Sequence, residues 1–228
     1  MRTRPTRPRA VTAALAAAVW AFFLLPPQQA VWSGVYIPPW LGALDGLPVY
    51  DAIRWWLHGA GLHDFYLVFG AAASVSFVLV WLATGPTLAA LGWSGRVLGW
   101  LVLTGGVITL LSYLNHPADA PLHTIWGGEL FVLAAIGVWA VVAAAVAPRG
   151  VGIPAWERWL LGATLPILVG ATALLTYWPH GSLVGFALEA AVLAAWAPRA
   201  TAANDPLPRT EGVVAEAGRA HGVTGSDV

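Results

Sequence analysis

The sequence predicts an all-α integral membrane protein, a bundle of six transmembrane helices. Three observations point there. Hydrophobic residues make up 58% of the chain and charged residues only 10%, whereas a soluble domain carries about 25% charge. Apolar runs of about 20 residues, the length that crosses the hydrocarbon core, recur along the chain. The fourteen tryptophans gather near the ends of those runs, as an interfacial aromatic belt would.

The predicted spans are 10–25, 65–84, 97–114, 124–146, 159–178 and 182–197. They make one transmembrane domain over 1–198, with a single long outer loop at 27–63 and a polar tail at 199–228. Span one follows Arg2, Arg4, Arg7 and Arg9. It could be a cleaved signal peptide, but Gln28-Gln29-Ala30 lacks the small residue needed three positions before the cut. The outer loop contains Pro38-Pro39 and several glycines, which argue against a span. Within it, Pro48 to His58 could form a short helix, with proline in the first turn and Gly59 at the end. Val49, Ile53, Trp56 and Leu57 would then face lipid, and Asp51, Arg54 and His58 water, giving an interfacial helix. An irregular loop capping the bundle is the alternative. Span three carries Gly105-Gly106, which reads as helix packing. Pro166 lies inside span five. It removes a backbone hydrogen bond to Gly162 and predicts a kink. The tail is rich in Gly, Ala and polar residues of mixed charge, and is predicted to be disordered and cytoplasmic.

Orientation follows from arginine, since the chain has no lysine. Arg96 falls between spans two and three, Arg149 and Arg158 between four and five, and Arg199, Arg209 and Arg219 after six. With both termini cytoplasmic, every arginine except Arg54 lies inside, as the positive-inside rule requires of a plasma-membrane protein. His58, His63, His116, His123 and His180 then lie outside, with Asp45, Asp51, Asp64 and Asp119. The polar chemistry sits on the extracytoplasmic face. A net charge of zero gives no nucleic-acid surface, so membrane lipids are the expected partners. The absence of cysteine excludes a disulfide, a thiolate metal site and a cysteine nucleophile.

A parallel two-hairpin repeat is the next expectation. Leu110-Leu111-Ser112-Tyr113-x-x-His116 recurs as Leu174-Leu175-Thr176-Tyr177-x-x-His180. Each copy then places a glutamate in the following span: Glu129 before Val132-Leu133-Ala134-Ala135, and Glu189 before Val192-Leu193-Ala194-Ala195. Spans three–four and five–six run the same way, so the copies are related by an axis along the membrane normal. A carboxylate inside hydrocarbon costs roughly 2.5–3.5 kcal/mol on insertion scales. Both glutamates should therefore face the protein interior, and glycines at 127, 128 and 185 would allow close helix approach.

Glu129, Glu189, Tyr113, Tyr177, His116 and His180 are thus the candidate ligand or proton site. The i, i+3 spacing puts each Tyr and His on one face if the helix continues, although Pro179 opposes this in the second copy. The plainer alternative is an interfacial tyrosine, a hairpin-tip histidine and a carboxyl that only hydrogen-bonds a neighbouring helix. His116, His123 and Glu129 could also ligate zinc, iron or manganese, though no His-Glu-x-x-His spacing is present. No cofactor is named by the sequence. Haem ligands normally sit within spans rather than at their ends. A Gly-rich phosphate loop and a Gly-x-Ser-x-Gly elbow are both missing.

Gly106, Pro117, His123, Gly127 and Phe131 form a pattern: a glycine-bearing span, a short loop with proline, then a histidine opening the next span. In this, in the six-span order and in the long first loop, the chain resembles an uncharacterised six-span bacterial membrane protein family, itself similar to the DRAM-like proteins. That resemblance implies a membrane protein without implying an activity. The expected function is a non-enzymatic protein binding a lipid or partner at its outer face. The alternatives are a small transporter or proton-coupled carrier using Glu129 and Glu189, and a metal-dependent membrane enzyme. Reporter fusions should place the C-terminus in the cytoplasm. An extracytoplasmic C-terminus, or a mature N-terminus near residue 31, would contradict the arginine argument.

Overall fold

The computed structural model describes residues 7–32, 36–147 and 153–196. The predicted tail and Arg2, Arg4, Arg149, Arg199, Arg209 and Arg219 lie outside the described residues. Among those described, every regular element is helical: α1 (Arg7–Val31), α2 (Pro39–Asp45), α3 (Pro48–Gly59), α4 (Phe65–Ala72), α5 (Ser74–Ala90), α6 (Trp93–Leu114), a 3-10 turn (His123–Ile125), α7 (Gly128–Val146), α8 (Ala155–Gly162), α9 (Thr164–Leu175) and α10 (His180–Trp196). Four stretches are long and apolar enough to cross a membrane: Arg7–Val31, Phe65–Ala90, Trp93–Leu114 and His123–Val146. The α8–α9 pair makes a fifth if its two halves form one span, and α10 is a shorter apolar helix.

Several boundaries differ from the sequence expectation. Helix α1 runs through Pro26 and Pro27 to Val31, so 27–31 is not loop. It continues because Gln28 and Gln29 are both fully buried, and their amides bond Tyr177 and the Tyr36 carbonyl. The fifth span is broken at Ala163, with a 51° angle between α8 and α9. Pro166 has no N–H to offer Gly162, so the bend falls where the missing bond predicts. Helix α9 stops at Leu175, with Thr176 in a left-handed conformation, so 176–178 are not helical. His123 opens the fourth apolar stretch, in the 3-10 turn that precedes α7. Gly127 takes a φ of 78° to turn the chain into α7.

Packing relies on small residues. Without a hydrophobic difference between lipid tails and side chains, association comes from close contact and interhelical hydrogen bonds. Helix α1 buries Ala10, Ala14, Ala17, Ala18 and Ala21, and it packs on α10 and α5. Helix α10 buries Ala187, Ala190 and Ala194. Helix α6 packs against α4, α5 and α7, and α9 against α7 and α10. The Gly105 expectation holds: a Cβ there would lie 2.5 Å from the Phe77 ring. Gly185 likewise fits against Ala171, and Gly128 against Ile108. Gly127 has open space around it, so its role is its left-handed turn and not close approach. Polar groups tie helices together: Ser76 Oγ donates to Ala17 O at 3.1 Å, Trp20 Nε1 to Ala72 O at 2.8 Å, and Trp139 Nε1 to Ser94 O at 3.0 Å.

The predicted short helix in the outer loop is α3, with Pro48 in its first turn. Its faces differ from the expectation. Tyr50 and Leu57 are buried and Ile53 half-buried, so this i, i+3, i+7 stripe packs on the protein rather than lipid. Tyr50 donates to Phe23 O at 2.8 Å, and burial pushes its hydroxyl above the ordinary tyrosine range, so it stays a donor. Arg54 is held by Asp45 and, at 3.3 Å, by Asp51. Val49 and Trp56 face outward as expected, joined by Trp55.

Two glycines give a test of this packing. A Cβ on Gly95 would lie 1.9 Å from the Leu88 carbonyl oxygen, which is backbone and cannot turn aside. Gly85, inside α5, has nothing within 4 Å. Gly95→Ala should destabilise by about 3 kcal/mol through overpacking. Gly85→Ala should stabilise by roughly 0.5–1 kcal/mol through helix propensity. Thermal unfolding in detergent reads both, and equal effects would contradict the α5–α6 contact.

Candidate functional site

One end of the bundle gathers the C-terminal ends of α1, α6 and α9 with the N-terminal ends of α4, α7 and α10. Six of its side chains form a polar cluster, five of them buried and Tyr66 half-buried. Gln28 Nε2 donates to the Tyr177 hydroxyl at 3.2 Å, and that hydroxyl lies 3.3 Å from the Tyr113 hydroxyl. The two tyrosines matched by the sequence repeat thus meet each other. Tyr66 of α4 stands against Tyr113, with ring centroids 5.2 Å apart, and its hydroxyl is close to Tyr177 and Trp126. Gly70 makes room for this, since a Cβ there would lie 2.1 Å from the Tyr113 ring. Ser112 Oγ accepts the Gly127 N–H at 3.0 Å and lies in reach of the Glu129 carboxyl. That leaves the Ser112 O–H to donate to Glu129.

Both glutamates are 4% exposed, so the inward orientation expected of them is observed. They do not share a site. Glu129 is in the first turn of α7, beside Ser112 and the tyrosines. Glu189 is midway along α10, where Oε1 lies 2.7 Å from Thr164 Oγ1. A small cavity beside Glu189 is lined by residues of α5, α6, α8 and α10, including Thr84, Thr87 and Leu98. It has space for about one water molecule. None of His116, His123 and His180 lines it, so the expected histidine at the mouth of a shared glutamate cavity is not found.

The Tyr–His pairs also differ from expectation. His116 lies beyond the end of α6, and its Nδ1 contacts the Tyr113 backbone carbonyl at 2.9 Å, not the phenol. Its Nε2 lies 3.4 Å from Asp64 Oδ2, and its ring packs on Tyr66. In the second copy Tyr177 precedes α10 and His180 opens it, so no single helical face carries both. Their rings still pack, 5.5 Å between centroids. His180 is fully buried, with Nε2 at 3.3 Å from Phe69 O. A carbonyl only accepts, so Nε2 carries the proton and Nδ1 of the neutral ring is a bare acceptor. His123 Nδ1 meets Asn115 O at 3.1 Å, and its ring stacks on Trp126. Among the described residues no group of three or more His, Asp or Glu could hold a metal ion. The set His116, His123 and Glu129 is therefore not assembled: each histidine is engaged by the backbone, and Glu129 by Ser112.

Several members carry no local sequence signal. Gln28 and Gln29 stand just past an apolar run and two prolines, which read as loop. Thr176 Oγ1 lies 3.1 Å from Gln29 Oε1, tying α1 to the end of α9. Thr164 carries a signal in hindsight, because a hydroxyl two residues before a mid-span proline can occupy the freed carbonyls. Glu157, at the start of α8, is a third buried carboxyl, 2% exposed. Among the described residues Gln28 Oε1, Glu129 Oε2 and His180 Nδ1 are buried without a hydrogen-bond partner. The cluster thus offers three bare acceptors beside three phenols, and suits species that donate hydrogen bonds. No protein family matches the chain, and no curated protein or solved structure matches it.

Tyr177→Phe removes the hydroxyl that contacts both Gln28 and Tyr113, and strands a buried amide. It should cost about 1–3 kcal/mol. Tyr113→Phe leaves the Gln28–Tyr177 bond in place and should cost less. Melting temperatures of the two variants decide, and the reverse order would contradict the placement of Tyr177 at the centre of the cluster.

Proposed function

We propose that this chain is a bacterial plasma-membrane protein of six spans, with both termini cytoplasmic. In this proposal it has no catalytic role and binds a membrane lipid or a partner at its extracytoplasmic face. In this proposal α1, α4–α5, α6, α7, α8–α9 and α10 serve as the six spans of the DRAM-like outline. The parallel repeat is part of the proposal, since Tyr113 and Tyr177 come from corresponding positions of its two copies.

The observation that carries the binding function is the two-faced α3. Its inner stripe is anchored by Tyr50 and Leu57, while Trp55 and Trp56 are 79% and 64% exposed. Tryptophan is favoured at the level of lipid headgroups, where one side of the ring is wet and the other apolar. A helix fixed to the bundle with its tryptophans turned out is suited to hold headgroups or the outer leaflet. Specificity would come from the polar cluster at the end of the bundle.

A proton-coupled carrier using Glu129 and Glu189 is the second possibility. It is favoured by the broken α8–α9 pair packed beside a buried carboxyl, the arrangement in which transporters bind coupling ions. It requires a path joining the two glutamates, which share no partner. The metal-dependent enzyme has no ligand group to support it among the described residues.

Lipid retention distinguishes these. Protein extracted in mild detergent is examined by native mass spectrometry for bound phospholipid. The binding function predicts that Trp55→Ala with Trp56→Ala loses most of the retained lipid, while Glu189→Gln keeps it. Equal retention by the tryptophan variant and the native chain would contradict it.

A further inference from the structure

The geometry points to Glu189 as a membrane-embedded proton site whose occupancy is coupled, through Thr164, to the bend between α8 and α9. This rests on neither function proposed above. It begins with a count of protons. Thr164 Oγ1 lies 2.7 Å from Leu161 O and 2.7 Å from Glu189 Oε1. Both are ordinary O–H···O lengths. A threonine hydroxyl has one proton to donate. Leu161 O is a carbonyl and can only accept. An ionised carboxylate can also only accept. Both contacts are therefore full hydrogen bonds only when Glu189 carries a proton and donates it to Oγ1, leaving the Thr164 proton for Leu161 O.

The surroundings agree with a neutral acid. The cavity beside Glu189 is lined by Thr84, Thr87 and Leu88 of α5, Leu98 and Val102 of α6, and Leu161 of α8, with the rest from α10 itself. Glu189 is the one ionisable group among its lining residues, and no cation there balances a carboxylate. Helix α9 presents Thr164, and α1 faces α10 with alanines. Glu189 Oε2 is buried and has no partner among the described residues. An unpaired charge in such a place is strongly disfavoured.

The coupling follows from where Thr164 stands. It is the first residue of α9, directly after the break at Ala163. Its bond to Leu161 O spans that break and satisfies a carbonyl in the turn where Pro166 provides no donor. When Glu189 loses its proton, the carboxylate competes for the single Thr164 O–H. If Thr164 turns to Glu189, Leu161 O loses its hydroxyl donor and keeps only the contact with the Ala163 N–H at the bend. Deprotonation therefore removes a hydrogen bond from the bend itself, and the angle between α8 and α9 should respond.

Two measurements test this. The first is reaction of the native, full-length protein with dicyclohexylcarbodiimide, which seeks neutral carboxyls in apolar places. The acid proton passes to a carbodiimide nitrogen and the carboxyl oxygen bonds the central carbon. An oxygen-to-nitrogen shift then gives a stable acylurea, with no atom lost. Peptide mass spectrometry should find one added reagent on Glu189, with labelling falling as pH rises and no adduct at this position in Glu189→Gln. Absence of that adduct would overturn the proton site. The second uses the lack of native cysteine. Spin labels at Trp159→Cys and Leu174→Cys, both highly exposed and on opposite sides of the break, report the bend by pulsed electron paramagnetic resonance. Their separation should shift by several ångströms between about pH 5 and pH 10, the range in which a buried carboxyl titrates. Glu189→Gln, whose amide still donates to Thr164, should hold the low-pH distance throughout. Thr164→Val should abolish the dependence. A constant distance in the otherwise native sequence, or the same shift in Glu189→Gln, would overturn the coupling.

Discussion

The constraint on which this structure depends is that hydrocarbon offers no partner for a polar group. A chain of mostly apolar residues gains little from burying one apolar side chain rather than another, because lipid solvates both alike. What decides helix orientation is the minority of polar side chains. Gln28, Gln29, Ser76, Thr109, Ser112, Glu129, Glu157, Thr164, His180 and Glu189 are all buried. Several bond a different helix, so together they fix which face of each helix turns inward. The alanines and glycines then let the backbones approach closely enough for those bonds to form.

Two polar regions result, and they differ in kind. The cluster around Tyr66, Tyr113 and Tyr177 is aromatic, draws on α1, α4, α6, α7 and the α9–α10 connection, and holds bare acceptors. The Glu189 region is a single carboxyl with a threonine at a broken helix and a narrow apolar cavity. The first joins many helices at one end of the bundle. The second sits within the bundle where a helix is least regular.

Much of the fold was legible because hydrophobic length and proline are strong local signals. The apolar runs marked the four long apolar helices and the bent α8–α9 pair, Pro48 marked the start of α3, and Pro166 marked the bend. The energetic argument placed Glu129 and Glu189 inward, as observed. What was not legible depends on tertiary partners. Nothing local says that Gln28-Gln29 continues a helix after two prolines. The reason is Tyr177, far along the chain. The Tyr-x-x-His spacing suggested one helical face, but α6 ends before His116 and α9 ends before Tyr177. Ile53 and Leu57 were assigned to lipid because a hydrophobic stripe does not say whether protein or membrane covers it. The glutamates match in sequence yet occupy different depths of their helices, which a linear alignment of the two copies hides.

The two carboxyl regions are separate, and a double-mutant cycle on stability measures any interaction between them. Glu129→Gln, Glu189→Gln and the double variant are unfolded in the same detergent. Groups that share no partner should give effects that add within about 0.5 kcal/mol. An interaction energy above about 1 kcal/mol would show that the two glutamates act as one site, and would contradict the account.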